Sequence, residues 1–313
     1  MNENIEIHDL NVEFFTNGRQ ITALKDVHIT FREGRITGLI GESGSGKSVL
    51  GMSILKLLPD TAKIKGSCMF LGKDLYQLNE REICRLRYKE ISLIPQNPLM
   101  SLNPVLKIRR QLTEPLRLHL GMSKKKAYET ACENLKQFGF SEPENLMCQY
   151  SFQMSGGMNQ RIVSCMGLEC NPRWVIADEP TKGLDAILRR QVYQVLHKVK
   201  ESGNKSMILI THDLQLAEKL CDDIAVLYQG QIIEQGEKKK VLENPLHPYT
   251  FGLMQSVPSK GMHPIPQPKK DRKKEDSGCP FYNRCQKAEE CCKKKQIPDV
   301  VKEDQIVRCI QYA

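Results

Sequence analysis

The 313-residue chain lacks the features that mark membrane-spanning or secreted proteins. Its apolar runs, such as ITGLI and MILI, fall well short of the roughly 18–20 residues of a membrane-spanning helix. Its first ten residues, MNENIEIHDL, lack the basic start and apolar segment of a secretory signal. With a mean hydropathy of −0.43, these absences predict a soluble globular protein of the cytosol.

Paired cysteines with the spacing of metal ligands are missing from the first 258 residues, whose seven cysteines are scattered like ordinary core thiols. The other five lie in the last 55 residues, 259–313. The same segment holds thirteen Lys and Arg against eight Asp and Glu, more than half of the net charge of +9. Because more than half of the net charge lies in this tail, the positive charge does not indicate a nucleic-acid-binding body. In a cytosolic chain, twelve cysteines argue against a disulfide framework.

Composition divides the chain into three parts. Residues 1–257 form a body of nearly balanced charge, and 258–278 has the four prolines and the charge run of a solvated linker. Residues 279–313 form a cysteine-rich extension. Within the body, 97–155 shows helical patterns without a convincing strand, which predicts a helical subdomain.

The apolar pattern of the body predicts an α/β fold. The first 35 residues alternate as antiparallel strands do, and a buried strand at 34–41 precedes a helix at 49–58. Short strands then alternate with helices, which predicts a parallel sheet covered on both faces. Further strands are predicted at 90–95, 173–178 and 206–211, helices at 124–140 and 187–202, and a hairpin at 223–237 with its turn at Gln229–Gly230.

A glycine-rich loop, GESGSGKS, joins the first buried strand to the first helix. The pattern GxxxxGKS between a strand and a helix is typical of a phosphate loop, whose backbone N–H groups face anionic oxygens. We expect Lys47 to carry its charge to the β- and γ-phosphates and Ser48 to ligate Mg²⁺. The predicted nucleotide-binding residues of this loop are Gly41, Ser43, Gly44, Ser45, Gly46, Lys47, Ser48 and Val49.

A later buried strand, WVIAD, ends in Asp178 and is followed by Glu179. One carboxylate at such a strand end can hold Mg²⁺ through water, and the next can polarise the attacking water. Adjacent acids are also a common start of a helix. The phosphate loop upstream favours the catalytic interpretation.

Between these two motifs lies FQMSGGMNQR, which places Ser155, Gly156 and Gly157 at the start of an amphipathic helix. A helix start of this kind is itself a phosphate-binding terminus. Because the chain already has one such terminus, we expect the second to bind a nucleotide held by another subunit.

The ordered set of motifs resembles the ATP-binding cassette ATPases over about residues 3–255. Three further matches are Gln96 in IPQNP, Asp185 in TKGLDA and His212 in ITHD. The resemblance implies a P-loop NTPase with an N-terminal antiparallel β subdomain, a RecA-like parallel core and a helical subdomain. It also implies hydrolysis of ATP with Mg²⁺.

The resemblance assigns catalytic roles to four residues, Lys47 among them. Glu179 would be the general base or water-polarising acid, and His212 would contact the γ-phosphate. Gln96 would sense the γ-phosphate and Mg²⁺ and relay their presence to the transport partner. The implied magnesium ligands are Ser48, Gln96 and Asp178.

Other matched residues would act across a dimer of cassettes. Ser155, Gly156, Gly157 and Gln160 would cover the ATP of the opposite subunit, and Asp185 would link the two sites.

The chain departs from the family pattern at two places. Met154 replaces the usual leucine, and Lys182–Gly183 replaces the commoner small or hydroxyl pair. The aromatic residue that stacks on adenine is open, since Phe14 and Phe15 are both candidates and both equally suited to the core.

Three segments resemble the dipeptide, oligopeptide and nickel importer ATPases: IPQNPLMSLNP, HPYTFGLMQSVP and the CPFYNRC tail. The resemblance implies an ATPase at the cytoplasmic face of the cell membrane that energises the import of di- and oligopeptides. Its partners would be a second, homologous ATPase subunit, two membrane permeases and, indirectly, a solute-binding protein. Import of nickel or another metal chelate is the alternative. A soluble cassette protein acting on nucleic acid is a distant alternative, which the single cassette and nearly neutral body disfavour, and no nucleic-acid partner is expected.

The extension carries four cysteines that match family ligands of a four-iron four-sulfur cluster: Cys279, Cys285, Cys292 and Cys309. Four thiolates suit either iron–sulfur or zinc, but CxxC pairs usual in structural zinc sites are missing here. Cys291 is a spare thiol or an alternative ligand. Free thiols without any metal remain the third interpretation.

Overall fold

The structure is a computed structural model that describes residues 3–16, 18–201, 205–256, 265–266, 278–294 and 297–313. Most of the predicted linker therefore lies outside the described residues. The strands are β1 (Ile5–Thr16), β2 (Arg19–Phe31), β3 (Ile36–Ile40), β4 (Ala62–Phe70), β5 (Lys73–Asp74), β6 (Ile91–Ile94), β7 (Trp174–Asp178), β8 (Ser206–Ile210), β9 (Asp223–Tyr228), β10 (Gln231–Glu237), β11 (Val300–Lys302) and β12 (Gln305–Val307).

The helices end where the sequence provides stop signals. Helix α5 stops before Gly139, whose φ of 79° continues no right-handed helix, and α1 stops before Lys56 at φ 50°. Both are shorter than predicted. The helices are α1 (Lys47–Ile54), α2 (Glu80–Leu86), α3 (Pro98–Ser101), α4 (Ile108–Leu120), α5 (Lys124–Gln137), α6 (Pro143–Met147), α7 (Gly156–Leu168), α8 (Ala186–Glu201), α9 (Leu214–Leu220), α10 (Lys238–Glu243), α11 (Pro248–Gln255) and α12 (Glu290–Lys294). Within these ranges, no helix is both long and apolar enough to cross a bilayer.

The strands form two sheets. An antiparallel sheet has the order β2-β1-β4-β5, and a larger sheet has the order β11-β12-β10-β9-β3-β8-β7-β6. The five strands from β9 to β6 in that order are parallel. The predicted N-terminal antiparallel strands and parallel core are thus confirmed. Strand β4 was not predicted, although Ala62, Ile64, Cys68 and Phe70 occupy alternate positions in it, because two lysines and Gly66 interrupt the apolar residues.

The parallel strands are buried on both faces because two different layers cover them. Leu39 of β3 packs on α1 and on the antiparallel sheet. Its neighbour Ile40 faces the opposite layer, to which α8 and α9 contribute Val192 and Leu216. This explains why β3, β7 and β8 are continuous apolar runs instead of alternating ones.

Residues 97–155 hold α3 to α6 and pack with α7 around their own apolar cluster. Leu112 and Leu116 of α4 meet Ala131 and Leu135 of α5 at the one-turn spacing that keeps side chains on one helix face. Ile162 of α7 closes the cluster. This subdomain carries the SGG segment at its boundary with the parallel core.

The cysteine-rich extension continues the larger sheet. Strand β12 pairs with β10 in the register Glu234↔Val307, and β11 adds the outermost strand. The buried Arg308 donates to the Asp299 carboxylate within the extension, and it also contacts Asp26 of β2, with an ion pair at 3.4 Å and a hydrogen bond to the Asp26 carbonyl at 3.2 Å. Because strand pairing and the Arg308–Asp26 contacts both join it to the body, the extension has a defined position against the nucleotide-binding core.

Helix α7 ends at a buried acidic residue, Glu169. Neither oxygen of its carboxyl group has a hydrogen-bond partner in the described part of the chain, and burial raises its pKa to about 9. The native carboxyl is therefore protonated at neutral pH, whereas the same group ionises near its ordinary value once the chain unfolds.

We predict that Glu169→Gln removes a pH dependence of stability. Between the pKa of Glu169 in the unfolded chain and about 9, rising pH ionises this carboxyl only in the unfolded chain. The free energy of unfolding therefore falls by up to about 1.4 kcal/mol per pH unit. The variant's advantage in urea midpoint should therefore widen from pH 5.5 to pH 8. The exposed Glu133→Gln on α5 serves as control. An equal midpoint difference at both pH values would contradict the buried, neutral state.

Candidate nucleotide site

The phosphate loop curls around the Lys47 side chain. Its Nζ donates to the carbonyl oxygens of Gly41 and Glu42, both at 2.8 Å. Burial lowers the pKa of this ammonium group, while the neighbouring carboxylates of Glu179, Asp178 and Glu42 oppose that shift. A buried cation facing three carboxylates and a set of backbone N–H groups is suited to polyphosphate, whose oxygens would replace the carbonyls as its partners.

Glycine is required at two points of this loop by close backbone contacts. At Gly41, with φ 150°, an added Cβ would collide with the carbonyl oxygen of Leu227 at the end of β9. At Gly46, with φ 105°, it would lie 2.8 Å from the carbonyl oxygen of Ala23 in β2. The loop is therefore held between both sheets, which explains the glycine spacing read from the sequence.

The back of the loop is bound by residues that the motif analysis did not identify. The backbone N–H of Gly230, in the turn between β9 and β10, donates to the Ser45 carbonyl at 2.9 Å. The Tyr249 hydroxyl accepts from the Glu42 N–H at 2.9 Å, and the Arg284 guanidinium forms an ion pair with the Glu42 carboxylate. Such contacts depend on tertiary structure, and no local sequence pattern indicates them.

Asp178 lies at the carboxyl end of β7, beside Ser48 at the start of α1. Its side chain is 6% exposed, and one carboxylate oxygen has no hydrogen-bond partner in the described structure. Burial raises its pKa, and the hydrogen bond with the Ser48 hydroxyl opposes this shift. An unpartnered buried carboxylate oxygen next to a hydroxyl fits a hard divalent cation such as Mg²⁺.

Glu179 has a backbone conformation that few non-glycine residues adopt, with φ 49°. Its N–H donates to the Ile210 carbonyl at 2.9 Å, and its carboxylate lies 2.7 Å from Nδ1 of His212. Ile210 ends β8, so the pairing of β7 with β8 brings acid and imidazole together. The strained turn directs the carboxylate toward the phosphate loop, where it contributes to the field at Lys47.

Gln96 is exposed and follows β6, the strand next to β7. It therefore lies at the same edge of the parallel sheet as Asp178. The residues that follow it expose apolar side chains: Leu99 is 63% and Met100 84% exposed.

The SGG segment forms the start of α7 and faces outward. Ser155 caps the helix by accepting from the Met158 N–H at 3.2 Å. Ser155 and Gly156 are exposed, and a Cβ on Gly156 would meet open space. Gln160, in contrast, is 1% exposed inside the subdomain. The serine and glycines are accessible to another molecule, whereas the Gln160 side chain is enclosed by its own chain.

Asp185 caps the helix that follows it, a role that its sequence motif does not indicate. Its carboxylate accepts from the N–H groups of Ile187 and Leu188 at 3.0 and 2.9 Å and so caps α8. The neighbouring Lys182 is exposed, and its charge contributes to the field at Lys47 and Asp178.

The two adenine-stacking candidates lie side by side on β1. Phe14 is half-buried against the core, and Phe15 is exposed. Their positions do not decide which of the two stacks on adenine.

The four predicted cysteine ligands of the extension line one cavity, together with His247. Cys279 interacts electrostatically with Cys285, Cys292 and Cys309, and burial raises the pKa of its thiol to about 12. Any metal bound here must therefore displace a thiol proton. Cys291 does not line the cavity and contacts Glu289 at 3.6 Å.

The phosphate loop is held between the two sheets, whereas the SGG start of α7 faces outward elsewhere on the molecule. A family model described as ABC transporter matches residues 24–182, and one described as oligopeptide/dipeptide transporter, C-terminal region, matches 233–292. The chain belongs to the ABC transporter family and is an ATPase of its oligopeptide/dipeptide branch.

Named relatives extend this match over most of the chain. The oligopeptide transport ATP-binding protein OppD of Salmonella typhimurium is 40% identical over 92% of this chain and 88% of its own. AppD of Bacillus subtilis is 38% identical over 98% of this chain and 96% of its own.

The cassette fold is also matched by a solved structure. The dimeric, post-hydrolysis ATP-binding cassette MJ0796 bound to ADP and Pi superposes with a TM-score of 0.67 at 25% identity, covering 74% of this chain and 98% of that one.

We predict that Gly41→Ala abolishes measurable ATP binding, because the added methyl group must displace Leu227 or distort the loop. The cost should reach several kcal/mol in the free energy of unfolding, as for other overpacked sites at positive φ. Gly72→Ala is the matched control, since it adds the same methyl group at φ 74°, outside the phosphate loop, where its Cβ would meet open space. Calorimetric titration with ATP checks both variants, and a Gly41→Ala protein that binds like the control would contradict the argument.

Proposed function

We propose that this chain hydrolyses ATP to energise the import of di- and oligopeptides through a membrane transporter. The names of the relatives and the match to the oligopeptide/dipeptide C-terminal region support this substrate class. One observation carries the catalytic part: Lys47, Ser48, Asp178, Glu179 and His212 converge at one edge of the parallel sheet.

The active unit in this proposal contains two ATPase subunits. The exposed SGG start of α7 presents backbone N–H groups at a positive helix end, which suits the γ-phosphate of an ATP held by the partner. The partner is a homologous ATPase subunit. Closing of the two subunits on ATP and reopening after hydrolysis is the conformational change that drives transport.

The transporter also needs membrane subunits, and the surface beside Gln96 suits them. Leu99 and Met100 expose apolar side chains directly after Gln96. A permease segment docked here would sense the position of Gln96. We place the chain at the cytoplasmic face of the membrane, bound to two permeases and indirectly served by a solute-binding protein.

Hydrolysis follows from the positions of the acidic residues. Mg²⁺ held between Ser48 and Asp178 would neutralise phosphate charge and orient the γ-phosphate for attack. Glu179 polarises the attacking water, and His212 orients the Glu179 carboxylate through the 2.7 Å contact. Lys47 leaves its two carbonyl partners for the β- and γ-phosphate oxygens.

We predict that Glu179→Gln lowers the ATP turnover of the complete transporter at least about a hundredfold while ATP binding persists, since general-base catalysis supplies factors of this size. The variant should accumulate as an ATP-bound dimer on size exclusion. Glu218→Gln, on the exposed side of α9, makes the same chemical change away from the site. Turnover of Glu179→Gln equal to that of the Glu218→Gln control would remove Glu179 from the mechanism.

The extension in this proposal holds a four-iron four-sulfur cluster on Cys279, Cys285, Cys292 and Cys309. Among the described residues, no three of these sulfur atoms all lie within 4.8 Å of one another. Thiolates on one tetrahedral zinc ion, at about 2.3 Å from the metal, are only about 3.8 Å apart. A cluster places a cube of iron and sulfide between its ligands, and so suits the wider set. Once bound, it would cross-link the extension at four points.

We predict that anaerobically purified protein contains about four iron and four sulfide per chain. Cys292→Ser should lose most of this iron because Cys292 lines the cavity, whereas Cys291→Ser should retain it. Metal analysis and absorbance near the iron–thiolate bands measure both variants. Iron-free protein, or equal iron loss in the two variants, would refute the assignment.

A further inference from the structure

The cysteine cavity and the phosphate loop are joined by a short chain of contacts. Arg284 directly precedes Cys285, and its guanidinium donates from both terminal nitrogens to the Glu42 carboxylate at 2.9 Å each. Glu42 is the second residue of the phosphate loop, and its own carbonyl oxygen accepts from Lys47 at 2.8 Å. Arg284 and Glu42 thus link the predicted cluster ligand Cys285 to Lys47 by direct contacts.

Besides Glu42, the Arg284 guanidinium has two further hydrogen-bond acceptors and two aromatic neighbours. Its Nε donates to the Pro266 carbonyl at 2.7 Å, and one terminal nitrogen also donates to the Tyr228 hydroxyl at 3.2 Å. The guanidinium lies over the rings of Tyr228 and Phe281, at 5.7 and 5.6 Å from their centroids. A planar fork held in this way transmits position better than a flexible surface pair does.

A second contact runs parallel to the first through the HPY segment. The Nδ1 atom of His247 accepts from the Tyr249 N–H at 3.0 Å, which leaves the ring proton on Nε2. That nitrogen lies 4.0 Å from Sγ of Cys279. At the other end of the segment, the Tyr249 hydroxyl accepts from the Glu42 N–H at 2.9 Å. His247 thus faces the cysteine cavity while Tyr249 faces the phosphate loop.

The ring of Phe281 fills the space between these two contacts. It packs at 5.4 Å from both Tyr228 and Tyr249 and at 6.0 Å from His247. Phe281 lies two residues after Cys279, so any shift of the cysteine segment displaces the aromatic group against which Arg284 and Tyr249 are ordered. Phe281, Tyr249 and His247 are buried and the Arg284–Glu42 pair is partly buried, and together these contacts run without a break from one site to the other.

We propose that Arg284, assisted by Tyr249, is a positioning residue for nucleotide binding that couples occupancy of the cysteine site to the geometry of the phosphate loop. A loaded cysteine site fixes the segment that carries Arg284, and Arg284 fixes Glu42. By linkage, nucleotide on the loop must in turn stabilise the loaded cysteine site. The proposal has two halves. The coupling half, the link between the loaded cysteine site and the loop, depends on the cluster proposed above, whereas the positioning half, the effect of Arg284 on nucleotide binding, does not.

The positioning half is tested with the full chain and MgADP, which occupies the phosphate loop without requiring a second subunit. Arg284→Met and Glu42→Gln should each raise the Kd at least about fivefold, the lower end of measured couplings. The double variant should be no weaker than either single variant, because both remove the same contact. Arg284→Lys should recover part of the loss, since it keeps the charge but not the fork.

Two further variants separate positioning from general destabilisation. Tyr249→Phe keeps the packed ring and removes only the hydroxyl, so it should weaken MgADP binding with little change in thermal unfolding. Asp304→Asn is the matched control, because Asp304 pairs with Lys240 and joins the extension to the body away from the loop. A Kd within twofold of wild type for Arg284→Met, or additive losses in the double variant, would overturn the positioning role.

The coupling half is measured as iron release to a chelator with and without MgADP. MgADP should slow the release at least about fivefold in the wild type and in Asp304→Asn, but not in Arg284→Met. Equal release rates with and without nucleotide in the wild type would overturn the coupling. Iron-free protein would refute the cluster and the coupling together, and the MgADP affinities would still decide the role of Arg284.

Discussion

The phosphate loop depends on one constraint: a tight curl of backbone around the buried ammonium of Lys47 must persist when no phosphate holds it. Lys47 contributes by donating to the Gly41 and Glu42 carbonyls. Further support comes from behind the loop, where Gly230 binds Ser45 and where Tyr249 and Arg284 bind Glu42. Because buried backbone donors and acceptors must find partners, each of these contacts offsets a cost that the curled loop would otherwise bear.

The register of the parallel strands explains how the proposed catalytic groups, which come from distant parts of the chain, meet. The parallel register of β7 with β8 fixes Asp178 opposite Ile210, and the residues that follow each strand then face the loop. Glu179 and His212 come together for this reason, although 33 positions separate them. The SGG start of α7 lies apart from this group and faces outward, which is the geometric basis for the proposal of a second subunit.

Much of this arrangement could be predicted from the sequence because it rests on local patterns: apolar runs for the buried strands, GxxxxGKS for the loop, acids at a strand end. The missed parts are tertiary. Arg284 belongs to a basic, cysteine-rich segment, and nothing in its neighbourhood indicates a partner 242 positions earlier in the chain. Strand β12 is only three residues long, too short for any period to show. Tyr249 lies in the HPYTFGLMQSVP segment, whose pattern indicates a family but not the hydroxyl contact with Glu42, because that contact depends on the fold.

We infer that the phosphate loop and the cysteine-rich extension behave as one unit joined at Glu42. Hydrogen exchange of the intact chain, followed by mass spectrometry with and without MgADP, tests this directly. Nucleotide should slow exchange both in the phosphate loop and in the extension from residue 278 to 285. Protection confined to the loop, with exchange in the extension unchanged, would contradict it.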